Sequence, residues 1–427
     1  MSYINPHVNM YRFLKDPEAF QKKLLKKWGD PFPFHLPGFP TIWMTQNPES
    51  VKKIFTVPLG SFIPSPHNPV APLLGNNGLI MLGGQEHTQS RKDLGPNFMG
   101  QQLKRMGKLI ADVYFEIRNE MKLGSETLVL QKFTQAVTLR IVLRLIFPHV
   151  SHEEILEIEN CTKKFLESYS PTLLFTPKWI PGRWSVFLKS KKNLDDLFYK
   201  HYLQGVEQNI EGPVKSIAEK NPEKEQVLDQ LRTLVVAGHE TTATSLVWII
   251  FLIHQKQHEE FKKLLLNDIE KFEPHLLDNI NDLVYLDAVV NESLRIHPPV
   301  PFITRKIVES FELDSKKLKA DEEIGVSITL LHHSTAIWNK PELFMPQRFI
   351  EKKYAPHEFA PFGGSNRKCI GAGLALSELK ILTGLLMKDF EITLCNDEFL
   401  KPQVMQITIG PKKPIRLELK SRLVSKN

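Results

Sequence analysis

The sequence predicts a mainly α-helical fold with a small β component. Apolar residues recur at helical spacing over most of the chain, whereas alternation of apolar and polar residues is confined to a few short segments. The 427 residues contain no internal repeat, no Ser/Gly linker and no low-complexity tract. We therefore expect one large domain over residues 1–427.

The individual elements follow from turn and helix signals. "PFPFHLPGFPTIWMT" alternates around Pro37-Gly38 and predicts a β-hairpin, and "NPESVKKIF" predicts a short helix after it. A long helical stretch covers 86–145, with breaks near Gly95-Pro96, Gly100 and Gly124. Further helices are expected at 160–169, 189–208, 223–253, 259–271, 283–296 and 371–388. Short strands are expected at 323–329, in "VMQITIG" and in "PIRLELK".

Charge and cysteine content narrow the class of protein. Lys and Arg number 55 against 48 Asp and Glu, a net charge of +7, and no basic run is long enough for a nucleic-acid-binding arm. This mild excess suits an acidic protein partner or an anionic ligand. The cysteines, Cys161, Cys369 and Cys395, are odd in number in a long chain. This argues against a disulfide framework and favours a reducing compartment.

Two further observations bear on location. The N-terminus has no apolar core of a signal peptide. The longest apolar run, "SLVWIIFLI" at 245–253, is far shorter than the roughly 20 residues that cross a bilayer. We expect a soluble, cytoplasmic, monomeric protein without a transmembrane segment.

The stretch "FAPFGGSNRKCIGAG" at 359–373 is the first candidate site. Cys369 precedes a predicted apolar helix, and free N–H groups at a helix N-terminus favour a thiolate. Gly363, Gly364 and Gly371 allow a tight turn around the sulfur, and Arg367 and Lys368 add positive charge.

Several interpretations of Cys369 are open from the residues alone. A lone cysteine is most often an inert core thiol. A nucleophilic thiol needs a base, for which His357 is nearest in sequence. A zinc site needs further Cys or His ligands at close spacing, which this stretch does not contain. A single thiolate in a glycine-lined loop suits the axial position of a haem iron.

The loop resembles a known signature. Phe362, Arg367, Cys369 and Gly371 match the pattern F-x-x-G-x-R-x-C-x-G of the cytochrome P450 superfamily. One position departs from it, because Ser365 replaces the glycine four residues before the cysteine. That glycine usually relieves a backbone turn, so we expect strain at Ser365 or a slightly altered turn. The resemblance implies that Cys369 is the axial haem ligand.

"VVAGHETTATSLVWII" lies within a predicted helix. Gly238 and Thr241 are three residues apart on one face, and the Thr241 hydroxyl can bond to the Ala237 carbonyl, bending the helix and opening a small polar notch. Taken alone, a buried helical threonine is more often a packing residue. The stretch is similar to the family's oxygen-binding helix, A-G-x-E-T-T, which implies that Thr241 relays protons and that Glu240 supplies them.

Two further motifs resemble the family. "NESLRIHPP" and "PELFMPQRFI" contain the E-x-x-R pair and its later arginine, which implies a structural network of Glu292, Arg295 and Arg348 within 292–295 and 346–349. "GGQEHTQSRKDLGPNF" places two cations at i, i+4 in 87–91, and further arginines follow in "PFITRK" and in the cysteine loop. Singly, such cations are mostly exposed. The resemblance implies that they hold the haem propionates: His87, Arg91, Arg305 and Arg367.

The resemblance spans about Lys27 to the C-terminus, with residues 1–26 as an N-terminal extension. It implies a single-domain cytochrome P450 fold of the soluble bacterial type, with haem between the oxygen-binding helix and the helix after the cysteine loop. The implied reaction is monooxygenation of a C–H or C=C bond, using haem b, O2, and electrons from NAD(P)H through a separate ferredoxin- or flavodoxin-type donor.

Substrate and partner surfaces are also implied. By resemblance, apolar segments at 62–82, 173–180, 234–237 and 300–303 face the substrate, with Leu234, Ala237, Val300, Phe302 and Ile303 in the pocket. They predict a lipophilic substrate such as a fatty acid, terpenoid or polyketide. Cations near the cysteine loop predict a basic docking face for the electron donor: Lys352, Lys353, Arg367, Lys368 and Lys380.

Alternative functions remain at this point. A peroxide-driven haem-thiolate peroxygenase or isomerase would need no oxygen-activating relay, and the Glu240-Thr241 pair argues against it. A protein that only binds haem or a lipid, without turnover, is the alternative from another class.

Overall fold

The computed structural model describes residues 5–123, 127–170, 173, 176, 182–271, 275–314, 316–396, 398 and 400–422. In this part of the chain the helices are α1 Pro6–Lys15, α2 Pro17–Trp28, α3 Pro48–Thr56, α4 Ala71–Leu74, α5 Gly84–Leu94, α6 Gln101–Glu120, α7 Leu130–Ile146, α8 His152–Ser168, α9 Arg183–Glu207, α10 Pro213–Ala218, α11 Lys224–Ile253, α12 Glu259–Lys271, α13 Val284–Ile296, α14 Ile328–His332, α15 Gln347–Glu351 and α16 Ala372–Asp389.

The strands of the described residues are short. They are β1 Phe32–Phe34, β2 Ile42–Thr45, β3 Phe62–Ile63, β4 Leu128–Val129, β5 Phe302–Ile307, β6 Phe311–Leu313, β7 Lys316–Leu318, β8 Glu323–Ser327, β9 Phe390–Leu394, β10 Pro402–Val404, β11 Ile409–Pro411 and β12 Arg416–Ser421. The prediction of a mainly helical chain with a small β component is confirmed.

Helix α11 is the centre of the helical core. It packs mainly against α7, and also against α16, α13, α4 and α9. Residues on all its faces are buried, because apolar side chains surround the helix instead of forming one stripe. Among the described residues one helix, α11 itself, is long and apolar enough to cross a membrane, and 78% of its most apolar window is buried inside the protein. A helix that is buried to this extent belongs to the protein core.

The largest sheet has the strand order β1-β2-β8-β5-β3. The predicted hairpin is confirmed, since β1 and β2 pair antiparallel with Phe32 opposite Met44. β2 and β8 pair in parallel, and β5 runs antiparallel to β8 with Arg305 opposite Ile324. This register fixes the position of Arg305 at the edge of the helical core. Strand β5 was not among the sequence predictions.

The first two helices pack onto this sheet. Asn5 and Asp16 cap α1 and α2 through side-chain bonds to the main chain, and a proline follows each cap. The rings of Phe13 and Phe20 join Phe34 of β1 at centroid distances of 5.4 and 5.8 Å. Residues 5–26, expected as an extension, therefore form part of a packed aromatic cluster.

Some predicted boundaries were wrong for local reasons. The helix expected at 160–169 begins at His152, because Ser151 and Glu154 form a capping box there. The strand expected at 323–329 ends at Ser327, whose hydroxyl caps α14. "VMQITIG" forms a turn between β10 and β11 instead of one strand. The predicted break at Gly124 lies outside the described residues.

Candidate functional site

The cysteine loop is a tight turn that precedes α16. The Cys369 N–H donates to the Phe362 carbonyl at 2.9 Å, and the Lys368 N–H donates to the Ser365 carbonyl at 3.1 Å. Gly371 is the N-cap residue of α16. Gly364 packs so closely on α3 that an added Cβ would lie 2.2 Å from a ring carbon of Phe55. The sequence prediction that Cys369 precedes a helix N-terminus is confirmed.

Ser365 adopts a backbone conformation that favours glycine. Its φ is +63°, in the left-handed region, and the φ of Gly363 two residues earlier is +66°. A side chain in this region strains the backbone by roughly 1–2 kcal/mol. We expected either strain at Ser365 or an altered turn, and the structure shows Ser365 strained in a left-handed turn.

The surroundings of the Cys369 thiol have opposing effects on its pKa. Its side chain is accessible to solvent, yet the protein packed around it raises its pKa above the ordinary value. A hydrogen bond from the Gly371 N–H and the charges of Arg91 and Lys368 oppose this effect. Arg91 is fixed beside the loop, where its Nη1 donates to the Lys368 carbonyl at 2.6 Å. Direct coordination of a metal cation would deprotonate this thiol outright.

Three arginines and His87 lie together beside the cysteine loop. Arg305 donates to the Thr304 carbonyl at 2.7 Å, and Arg367 donates to the Leu82 carbonyl. Burial lowers the pKa of Arg305 to about 10. Burial, and then the charges of Arg305 and Arg91, lower the pKa of Arg367 to about 10. Burial and the same three arginines lower the pKa of His87 to about 4.

These cations lack carboxylate partners. Among the residues that the structure describes, no carboxylate forms an ion pair with Arg91, Arg305 or Arg367, although other buried arginines such as Arg295 have one. Repulsion between like charges that are close together and partly buried is unfavourable unless an anion compensates it. The cluster therefore fits an anionic ligand with more than one carboxylate, and the sequence prediction of two propionates matches this requirement.

Helix α11 carries a narrow accessible strip. Between residues 231 and 253, the half-buried positions are Ala237, Gly238, Thr241 and Thr244, and the other side chains are buried. Thr241 Oγ1 donates to the Ala237 carbonyl at 2.9 Å, as the spacing predicted. An added Cβ at Gly238 would lie 3.0 Å from Val142 Cγ2, so this glycine allows close packing of α7 on α11. Gly238 therefore does not open the small polar notch that the sequence suggested.

Glu240 is buried beside the strip. Burial raises the pKa of Glu240 to about 7, and a hydrogen bond with Thr408 opposes that shift. Thr408 lies in the turn between β10 and β11, and its Oγ1 is 3.1 Å from Thr244 Oγ1. Sequence reasoning missed Thr408 and Thr244, because their contact joins residues 164 positions apart. The sequence offered one sign of this contact, namely the position of Thr244 one turn after Glu240 on α11.

The structural network is formed as expected. Glu292 Oε1 accepts from Arg295 Nη2 at 2.9 Å and from Arg348 Nε at 3.1 Å, while its Oε2 accepts from Arg295 Nε at 2.7 Å. Arg295 also donates to the His332 carbonyl at 2.7 Å. Both arginines lie over the ring of Trp338. The network joins α13 to α15 and to the segment that leads into the cysteine loop.

The expected pocket residues are only partly brought together. Leu234 and Ala237 are on α11, and Val300 is half-buried where the chain enters β5. Ile303 and Arg305 line a small cavity beside the cysteine loop. The ring of Phe302 instead contacts Phe34, at a centroid distance of 5.3 Å, and this placement argues against a lining role. Most of the segment expected at 173–180 lies outside the described residues.

Comparisons with known proteins identify the fold. A family model described as Cytochrome P450 matches residues 5–419. Cytochrome P450 135A1 of Mycobacterium tuberculosis is 26% identical over 435 residues, which cover 95% of this chain and 92% of that protein. Cytochrome P450 135B1 of Mycobacterium bovis is 24% identical and covers 93% and 86%. The structure of the retinoic acid-bound cyanobacterial protein CYP120A1 superposes with a TM-score of 0.82, at 21% identity over 94% of each chain.

Proposed function

Since the chain belongs to the cytochrome P450 family, we propose that it is a haem-thiolate monooxygenase in which Cys369 is the axial ligand and Glu240 and Thr241 deliver protons. The family assignment establishes an oxygen-incorporating oxidoreductase with haem as cofactor. The assignment of these residues is our inference. It rests on one observation above all: beside an accessible thiol lie three arginines, Arg91, Arg305 and Arg367, that form no ion pair with a carboxylate of the described residues.

The residues present fit a haem, and we propose that it is haem b. Cys369 would bind the iron, with Phe362 and Gly371 shaping the loop around the sulfur. The propionates would be held by charge-assisted bonds from His87, Arg91, Arg305 and Arg367. When bound, the haem supplies activation of O2 and transfer of one oxygen atom into a C–H or C=C bond.

Proton supply would come from α11. A carboxyl group with a pKa of about 7 both holds and releases a proton near neutral pH, which is the property of an effective general acid. Thr241 is the next residue, on the accessible strip at a half-buried position. Its hydroxyl is held by the Ala237 carbonyl and keeps its oxygen lone pairs free to accept a proton from Glu240 or from water.

The substrate that we propose is a lipophilic small molecule: a fatty acid, a terpenoid or a polyketide. Ala237 lies on the accessible strip of α11, Leu234 lies three residues before it on the same helix, and Val300 is half-buried just before β5. The structural neighbour CYP120A1 was solved with retinoic acid, an apolar terpenoid carboxylic acid. This supports a terpenoid among the first compounds to test.

The proposed electron donor is an acidic ferredoxin or flavodoxin supplied by NAD(P)H. Part of the docking face that the sequence predicted is unsuitable. Lys380 is buried and pairs with Asp287 at 3.1 Å, Arg367 belongs to the propionate cluster, and Lys352 pairs with Glu358 at 3.3 Å. The exposed cations on α5, on α6, after α15 and in the cysteine loop would form a better face: Lys92, Lys104, Arg105, Lys108, Lys353 and Lys368.

The decisive experiment is the visible spectrum of the ferrous–CO form of wild type and Cys369→Ser. We expect a thiolate-type Soret band in the wild type and its loss in the variant. Cys395→Ser, which alters another exposed cysteine, is the matched control and should keep the band. An unchanged spectrum in Cys369→Ser would overturn the ligand assignment. Titration of the Soret band with lipophilic compounds then tests the substrate class.

A further inference from the structure

We propose that Thr408, in the turn between β10 and β11, positions the Glu240 carboxyl group for proton delivery. Thr408 would be a positioning residue of the reaction, because it touches Glu240 and not the reacting atoms. The inference rests on the proposed role of Glu240 as proton donor. It assigns a specific task to the C-terminal hairpin, a segment that carried no functional signal in the sequence.

The hairpin binds the face of α11 that carries Glu240 through two hydrogen bonds. Glu240, Thr244 and Trp248 follow one another at intervals of four residues and so lie on the same side of the helix. The Thr408 hydroxyl lies close enough to the Glu240 carboxyl to lower its pKa. Thr244 Oγ1 is 3.1 Å from Thr408 Oγ1, and Trp248 Nε1 donates to the Ile409 carbonyl at 3.1 Å. The hairpin therefore contacts α11 in one fixed register.

The turn that carries Thr408 is itself held firmly. The Met405 N–H donates to the Thr408 carbonyl at 2.8 Å, which closes the turn. The Ile409 N–H donates to the Pro299 carbonyl at 2.9 Å. Gln406 Nε2 donates to the Leu166 carbonyl at the end of α8 at 2.9 Å. Thr408 is only 1% exposed, so its hydroxyl has few alternative partners.

The chemistry of a hydroxyl group suits this position. A threonine hydroxyl has one donor hydrogen and two acceptor lone pairs. It can donate to an ionised Glu240, and it can accept from a protonated Glu240 while donating to Thr244. Both protonation states of the carboxyl group are thus satisfied without movement of the backbone. A buried group that gains and loses a proton in each turnover requires this property.

No charged neighbour performs the same task in the described part of the chain. Besides burial, the bond to Thr408 is the one contribution to the pKa of Glu240. His239, on α11, directs its ring to Thr138 of α7 at 2.9 Å, and His297, after α13, stacks on Trp248. Burial lowers the pKa of each histidine to about 3, so both rings are neutral at physiological pH.

The test compares Thr408→Val, Thr408→Ser and Gln406→Ala in the full-length, haem-loaded protein. The infrared absorption of the protonated Glu240 carboxyl, identified by its loss in Glu240→Gln, is titrated with pH in the resting protein. Removing a bond that lowers the pKa should raise the titration midpoint in Thr408→Val by about one pH unit, or tenfold in proton affinity. Thr408→Ser should restore the midpoint. Gln406→Ala removes a hairpin anchor and retains the hydroxyl, so its midpoint should stay at the wild-type value.

The same variants are then assayed for product formed per electron pair consumed. We expect a several-fold lower yield in Thr408→Val, with recovery in Thr408→Ser. A wild-type midpoint in Thr408→Val, or a shift of equal size in Gln406→Ala, would refute the positioning role. Failure of the proposed function is separate from this result: product yield in Glu240→Gln would then equal that of the wild type, whatever the infrared midpoints show.

Discussion

Asp229 on α11 binds Asn77 twice. Its Oδ2 accepts from the main-chain N–H and from the side-chain amide of Asn77, each at 2.8 Å. The other carboxylate oxygen accepts from the buried guanidinium of Arg232, which also pairs with Asp195 of α9. The loop after α4 is thereby tied to α9 and α11 through one buried ionic network. This loop includes part of the segment expected to face the substrate.

The Asn77 side chain should control opening of this loop. In Asn77→Ala, one hydrogen bond to an ionised carboxylate is lost, a contribution of roughly 1.5–3 kcal/mol. We expect amide exchange of residues 75–82 to accelerate at least tenfold and ligand dissociation to become faster, and the free energy of global unfolding to fall by no more than the value of this bond. Hydrogen–deuterium exchange and stopped-flow release of a Soret-active ligand measure the two effects.

Asn76→Ala is the matched control for this substitution. Asn76 is exposed and precedes Asn77 directly, so its variant should exchange and release ligand as the wild type does. Equal behaviour of the two alanine variants would show that Asp229 does not hold the loop. Fast amide exchange of residues 75–82 in the wild-type protein would lead to the same conclusion.

Arg305 should have opposite effects on the haem-free and haem-loaded forms. Its buried charge faces Arg91 and Arg367 without an ion-paired carboxylate among the described residues. Arg305→Met keeps the bulk of the side chain and removes the charge, so the haem-free form should gain resistance to urea. Haem affinity should fall about tenfold, the value of one charge-assisted bond. Denaturation of both forms and haem transfer to a competing acceptor measure these changes.

Lys306→Met controls for the loss of one charge at the adjacent position of β5, where Lys306 pairs with Asp321 at 2.7 Å. It should leave haem affinity unchanged. A gain of haem affinity in Arg305→Met, or a loss of stability in its haem-free form, would contradict an anion-binding role for this cluster.

The sequence revealed those parts of the site that depend on local spacing. The bond from Thr241 to the Ala237 carbonyl and the Glu292–Arg295 pair each join residues within one or two turns of a helix, so periodicity was sufficient. Thr408 and the first two helices depend on contacts between distant parts of the chain, which no local pattern reports. Lys380 was misassigned because proximity to Cys369 in sequence does not show on which side of α16 the ammonium group lies.

Ser365 offers a direct stability test. Its left-handed conformation costs a non-glycine residue roughly 1–2 kcal/mol, and the greater freedom of glycine in the unfolded chain returns about half of that. Ser365→Gly should therefore raise the free energy of unfolding by about 0.5–1 kcal/mol, as measured by urea denaturation. Ser365→Ala retains the strain and should not be more stable than the wild type. Equal gains in both variants would locate the effect in the hydroxyl group instead of the backbone.

Glu240 should make stability depend on pH in a definite direction. The pKa of Glu240 is about 7 in the folded chain and about 4.5 when unfolded, so the folded state holds the proton more tightly. Between these two pKa values the carboxyl is ionised in the unfolded chain and protonated in the folded one. The free energy of unfolding therefore falls as the pH rises from about 4.5 to about 7. The full difference corresponds to about 3 kcal/mol. Above pH 7 the contribution is constant.

Glu240→Gln removes this titration while keeping the shape of the side chain. The free energy of unfolding of the variant minus that of the wild type should therefore grow by about 3 kcal/mol between pH 4.5 and pH 7. Taking the difference cancels other buried acids such as Glu378, which titrate alike in both proteins. Glu351→Gln, at an exposed position on α15, should give a difference that is flat with pH. Parallel curves for wild type and Glu240→Gln would mean that the pKa of Glu240 is the same in the folded and the unfolded chain, and a carboxyl with that ordinary pKa would be ionised near neutral pH and could not supply protons.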